Sequence, residues 1–112
     1  MAKPIQWTGD PAIWTGEYEG VSHGSGASII FVRLEPGRPG PKLHKHPYPE
    51  TFVVRRGQAD FTVADEQVAA AAGDIVVVPA DTPHRFDNGG DDVLEMMDIH
   101  PSARFATIWL EE

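Results

Sequence analysis

Glycine and proline interrupt this chain so often that they disfavour a long-helix architecture. Eleven glycines and ten prolines are spread through 112 residues, well above their usual share, and no low-complexity run accounts for them. Proline lacks the amide N–H that a helix needs, and both residues weaken helix interiors, so a bundle of long helices is disfavoured. Short elements joined by tight turns remain. With 41% hydrophobic and 23% charged residues, the composition suits a folded globular chain rather than a disordered one. The length has room for one domain and one core.

Between the breaks the periodicity is that of strands. Residues 28–35 are β-branched and apolar, with Ile30, Val32 and Leu34 on one face. The run Pro36-Gly37-Arg38-Pro39-Gly40-Pro41 then forbids regular structure. Further strands are expected at 50–56, 59–63, 74–79, 84–88 and 93–100, with a turn at Asn88-Gly89-Gly90-Asp91. The alanine-rich stretch 67–72 is too short for a stable isolated helix and is read as a brief strand or loop. Residues 1–27, with Trp7, Trp14 and Tyr18, form an N-terminal arm over the core. Residues 103–110 are apolar on both alternating faces, which suits an inter-sheet or subunit contact, with a short terminal helix as the alternative. Many short strands with turn signals between them make an all-β sandwich or barrel.

Charge and residue usage exclude several classes of function. Nine basic against 17 acidic residues leave a net charge of −8, so there is no basic footprint for nucleic acid. The longest apolar runs, 28–32 and 75–78, are far below what spans a bilayer. The segment from Met1 to Trp7 lacks a signal-peptide apolar region, and a cytoplasmic protein is expected. Cysteine is absent, which removes disulfides, thiolate metal sites and thiol nucleophiles.

The chemistry concentrates in His44-Lys45-His46-Pro47-Tyr48-Pro49-Glu50. Residues two apart on an extended strand share a face, so His44 and His46 converge, and Glu50, Phe52 and Val54 keep the same parity. Phe52, Val54 and Phe86 are therefore candidates for an apolar pocket wall. His84 is the fourth candidate ligand. Three nitrogens and one oxygen suit a divalent transition metal, Fe(II), Mn, Ni, Cu, Co or Zn, and leave coordination positions open for catalysis. Tyr48 is placed to offer a phenol to substrate. On 93–100, one face carries Val93, Glu95, Met97 and Ile99, and the other Leu94, Met96, Asp98 and His100, so either face turns a carboxylate inward. Asp98 and His100 are a candidate acid–base pair. Arg56 can reach a barrel end.

These residues carry a family resemblance. His44-x-His46-x3-Glu50-x6-Gly57, followed by Gly73-x5-Pro79-x4-His84-x3-Asn88, resembles the two signature motifs of the cupin superfamily, and each motif lacks one named position. The resemblance covers residues 28–101 and implies a double-stranded β-helix, or jelly-roll, barrel occupying 1–112 as a single domain, with 102–112 as a C-terminal segment. It also implies His44, His46, Glu50 and His84 as metal ligands, with Glu50 able to act as a base instead. The two departures are Arg38, where the first motif opens on glycine, and Asp81, where the second has an inner glycine. Aspartate is among the few residues that tolerate the positive φ a glycine there would adopt.

Cupins include dioxygenases, decarboxylases, isomerases, cyclases, lyases and binders, so the resemblance leaves the reaction open. The simplest expectation is a metal-dependent oxidoreductase of dioxygenase type acting on a small organic substrate. Non-redox isomerase, cyclase or lyase chemistry and a non-catalytic binding module are the alternatives. Tyr48, Glu50, Asp98 and His100 are the candidate catalytic residues. A homodimer is expected, with Ile29, Phe31 and residues 105–110 at the contact.

Overall fold

A computed structural model describes residues 3–111. Residues 1, 2 and 112, which belong to the expected N- and C-terminal segments, lie outside the described residues. The expected all-β architecture is found. Eleven strands form two antiparallel sheets, with a single 3₁₀ turn at Gly20–His23 among the described residues. The strands are β1 (Thr8–Asp10), β2 (Thr15–Tyr18), β3 (Ser28–Leu34), β4 (His44–Lys45), β5 (Glu50–Arg56), β6 (Gln58–Val63), β7 (Glu66–Ala71), β8 (Ile75–Val78), β9 (His84–Asn88), β10 (Leu94–His100) and β11 (Ile108–Trp109). One sheet runs β1-β2-β3-β10-β5-β8 and the other β11-β4-β9-β6-β7. From β3 onward the chain crosses between sheets at almost every step, which winds the strands into a jelly-roll barrel.

The corners explain the glycine and proline excess. Gly57, between β5 and β6, has φ +79, and a Cβ there would run into the Val93 carbonyl oxygen, so only glycine fits. Asp81, between β8 and β9, has φ +58, the positive value anticipated for its place in the second motif.

Alternation along the strands fills the closed end of the barrel. Phe52, Val54, Phe61, Phe86, Leu94 and Met96 form its buried cluster, with the Phe52 and Phe61 rings 4.9 Å apart and edge-on. Phe52 and Val54, read from sequence as pocket wall, belong to this cluster. The wall is built instead by Ile30, Val32 and Leu34 from β3 and by the Pro39–Pro41 approach, with Phe86 kept.

Two further readings become more definite. Residues 66–71 are a full strand paired along its length with β6, because the hairpin supplies the hydrogen bonds that the alanines alone do not specify. The N-terminal arm is a hairpin that adds β1 and β2 to the edge of β3. Its Trp7 ring stacks on Phe31 at 3.7 Å, and Trp14 meets Phe31 edge-on at 5.2 Å. Phe31, expected at a dimer contact, is therefore covered by its own chain.

On β10 the inward face is Leu94, Met96, Asp98 and His100. Glu95 lies on the other face, where Arg33 and Arg55 approach it at 3.4 and 3.3 Å. Residues 103–110 contain no helix. They end in β11, which pairs with β4 and leaves Ile108, Trp109 and Leu110 largely exposed.

Candidate metal centre

The site begins with a register. His44 on β4 pairs directly with His84 on β9, so the two imidazoles leave the same sheet face side by side, with ring centroids 4.4 Å apart. His46 follows with the same parity, and its ring lies 5.4 Å from that of His84. Glu50 opens β5 in the opposite sheet and meets them from across the barrel. One donor atom from each of His44, His46, Glu50 and His84 lies within 4.8 Å of the others, and all four residues are buried.

The backbone fixes how each imidazole is presented. His44 Nδ1 donates to the Lys42 carbonyl at 2.7 Å, His84 Nδ1 to the Thr82 carbonyl at 2.8 Å, and His46 Nδ1 to the Ala106 carbonyl at 2.8 Å. A carbonyl can only accept, so each Nδ1 carries a proton and each Nε2 is the atom left to face the interior. In their neutral form the three imidazoles offer Nε2 lone pairs to one space, with the outer hydrogen bonds that metal-ligating histidines require. These carbonyls carry no side-chain signature, which is why spacing alone does not reveal them.

The donor set fits a divalent metal. His46 Nε2 comes within 2.9 Å of Glu50 Oε1 yet is buried without a properly directed hydrogen bond, so its lone pair has no protein partner. His84 Nε2 lies 3.1 Å from the same oxygen. Three imidazole nitrogens and a carboxylate oxygen are ligands that first-row divalent ions accept.

Electrostatics keep the carboxylate ready. Burial pushes Glu50 up, but the surrounding His100, His46 and His84 outweigh it and hold Glu50 well below the usual carboxylate range. Burial also lowers the His44 pKa, which favours the neutral ligand form. At His46, burial acts in the same sense, but the Glu50 carboxylate and the Ala106 carbonyl reverse it and raise the pKa.

The other candidates fall into place around this group. His100 is buried, and its Nε2 faces Glu50 Oε2 at 3.1 Å. Its Nδ1 lies 2.7 Å from the Tyr48 hydroxyl, which itself accepts the Ala106 N–H at 3.1 Å. Tyr48 thus sits behind His100, stacked parallel to His46 at 5.2 Å, and is not among the residues lining the cavity. Asp98 and His100 share the cavity wall, but His100 Nδ1 is taken by Tyr48 and neither His100 Nε2 nor Asp98 Oδ1 has a hydrogen-bond partner among the described residues, so the two are not hydrogen-bonded as a pair. Arg56 pairs with Asp92 on the surface at 2.9 Å and stays outside the cavity.

The donor group occupies one end of a cavity of about 360 Å³, at the low end for sites that hold small molecules. The remaining wall is mostly apolar. Trp109, 59% exposed, stands at the mouth with its ring 5.1 Å from His44. Spacing did not mark Trp109 as a site residue; it reaches the site only because β11 pairs with β4.

A family model of the cupin domain matches residues 30–100. The chain belongs to the cupin family. Among curated proteins, this cupin is 36% identical over 75 residues to polyketide synthase CurC of Streptomyces cyaneus, covering 64% of this chain and 49% of that one. It is 36% identical over 70 residues to protein SchB of Streptomyces halstedii, covering 60% and 51%. The cupin spans about half the length of these curated relatives. Among solved structures it superposes on Bacillus subtilis oxalate decarboxylase, in a study of that enzyme's Mn(II) centres, with TM-score 0.76 and 26% identity, over 85% of this chain and 27% of that one. A second oxalate decarboxylase structure, concerned with substrate binding mode and reaction specificity, gives TM-score 0.77 at 22% identity and shares the fold.

Proposed function

We propose that this cupin is a metal-dependent enzyme that transforms a small, oxygen-bearing organic molecule by proton transfer, as an isomerase, cyclase or lyase does. The observation that carries this reading is His100. It lines the same cavity as the donor group, with a carboxylate oxygen at one ring nitrogen and a phenol at the other. Such an imidazole can take a proton from substrate at Nε2 and return it from the same atom, with Tyr48 holding the ring through Nδ1, which is general acid–base catalysis. A divalent ion held by His44, His46, Glu50 and His84 would supply Lewis acidity beside that imidazole. Likeness to CurC, named a polyketide synthase, supports an oxygenated carbon skeleton as substrate.

A second reading, the dioxygenase-type oxidoreductase expected from sequence, is favoured by the donor set itself, since all-nitrogen-and-oxygen ligation accepts redox-active Fe, Mn, Ni or Cu as readily as Zn. The test separates them. Protein loaded with Zn(II) or Fe(II) is assayed against enediols, β-diketones and flavonols, in air and without oxygen. The proton-transfer reading expects turnover with Zn(II) in the absence of oxygen. Turnover that needs Fe(II) and consumes oxygen would establish the second reading, and binding without turnover under either condition would make the cupin a binding module.

We also propose a homodimer, now supported by the exposed Ile108, Trp109 and Leu110 rather than by Phe31. A monomeric mass by light scattering at micromolar concentration would contradict it.

A further inference from the structure

Asp98 is a buried carboxyl group with one oxygen that nothing among the described residues answers. It is 3% exposed, lines the cavity, and its Oδ1 has no hydrogen-bond partner among the described residues. The register explains why. Across the sheet Asp98 pairs with Ile30 on β3 and Phe52 on β5, and on its own face it is flanked by Met96 and His100. Three of these neighbours offer no side-chain donor or acceptor beyond a weak thioether, and His100 spends Nδ1 on Tyr48 while its Nε2, 3.1 Å from Glu50 Oε2, has no properly directed hydrogen bond. A buried polar atom left unanswered is costly and uncommon, so it points to something outside the protein.

We propose that Asp98 is a substrate-recognition residue, hydrogen-bonding a second oxygen of a ligand whose first oxygen faces the metal position. Resting on the metal-centre reading above, this names the substrate class as small molecules with an apolar body and two nearby oxygens, hydroxyketones or enolisable diketones. The apolar body matches Ile30, Val32, Leu34 and Phe86, which line the rest of the cavity. Two oxygens fit because the polar end presents two separate sets of unpartnered atoms, the inward Nε2 atoms of His46 and His100 beside the donor group and Asp98 Oδ1. Burial, and then the nearby charge of Glu50, push the Asp98 carboxyl well above the usual range, which favours its protonated form, a donor suited to a carbonyl oxygen. A ligand with one oxygen would leave Asp98 facing hydrocarbon.

The test is calorimetric titration of the Zn(II)-loaded protein with benzoylacetone, an enolisable diketone with a phenyl body, and with acetophenone, which has one oxygen. Benzoylacetone binding is expected to weaken by about tenfold or more in D98L and in D98A, and to stay within about threefold in D98N, which keeps a hydrogen-bonding group. Acetophenone is expected to bind wild type and D98L within about twofold of each other. Thermal midpoints show that each variant is folded, and D98A serves if the bulk of leucine is not accepted. Wild-type affinity for benzoylacetone in folded D98L or D98A would overturn the proposal, as would absence of benzoylacetone binding to zinc-loaded wild type. A wild type that takes up no zinc would overturn the metal-centre reading itself, and this assignment with it.

Discussion

His44 and His84 each donate Nδ1–H to the carbonyl two residues upstream, and His46 reaches across to Ala106. Spacing and the cupin motifs brought these three rings and Glu50 to notice, because a period of two is visible in sequence. The atoms that hold them in the right tautomer are backbone oxygens, which no residue type marks. Tyr48 shows the same limit: its parity with the ligands points inward, yet the bend at Pro47 and Tyr48 leaves its hydroxyl behind His100. Tyr48→Phe removes the partner of both His100 Nδ1 and the Ala106 N–H. Metal content is expected to stay at the wild-type level while turnover drops by about tenfold, the scale of outer hydrogen-bond losses at metal sites. Metal analysis beside kcat checks this, and unchanged kcat would mean that Tyr48 does not position His100 for catalysis.

Strand positions were legible where alternation and turn signals agree, as at β5 and β9, whose bounds match their expected ones. β7 was less so, since alanine favours helix in isolation and only pairing with β6 decides for strand. The N-terminal hairpin was harder still: its aromatic residues identify burial but not the partner. The structure gives that partner as Phe31, against which Trp7 stacks on the outer face of β3, away from the cavity. Trp7→Ala is therefore expected to cost about 2 kcal/mol, below the core range because Trp7 is half-buried, and to leave metal affinity unchanged. Urea unfolding with a parallel metal titration measures both. A variant as stable as wild type would mean that the hairpin contributes no packing to the barrel.

At the scale of the molecule, the two sheets enclose a closed apolar end and an open polar end, and the four donors sit where the two meet. Glu50, drawn from one sheet, faces His44 and His84 from the other and His46 from the segment just beyond β4, so the site exists only once the barrel is closed. Metal binding and folding are thereby coupled, and saturating metal at about a hundred times its Kd should add about 2.7 kcal/mol of stability. The absence of cysteine leaves nitrogen and oxygen as the principal ligands for any such ion. The measurement that bears most directly on this account is the metal content of purified protein, set beside that of a His44→Ala/His84→Ala double variant. One divalent transition-metal ion per chain in the wild type, and none in the folded double variant, is the predicted result. A wild type that binds no metal, or a double variant that binds as much as wild type, would contradict it.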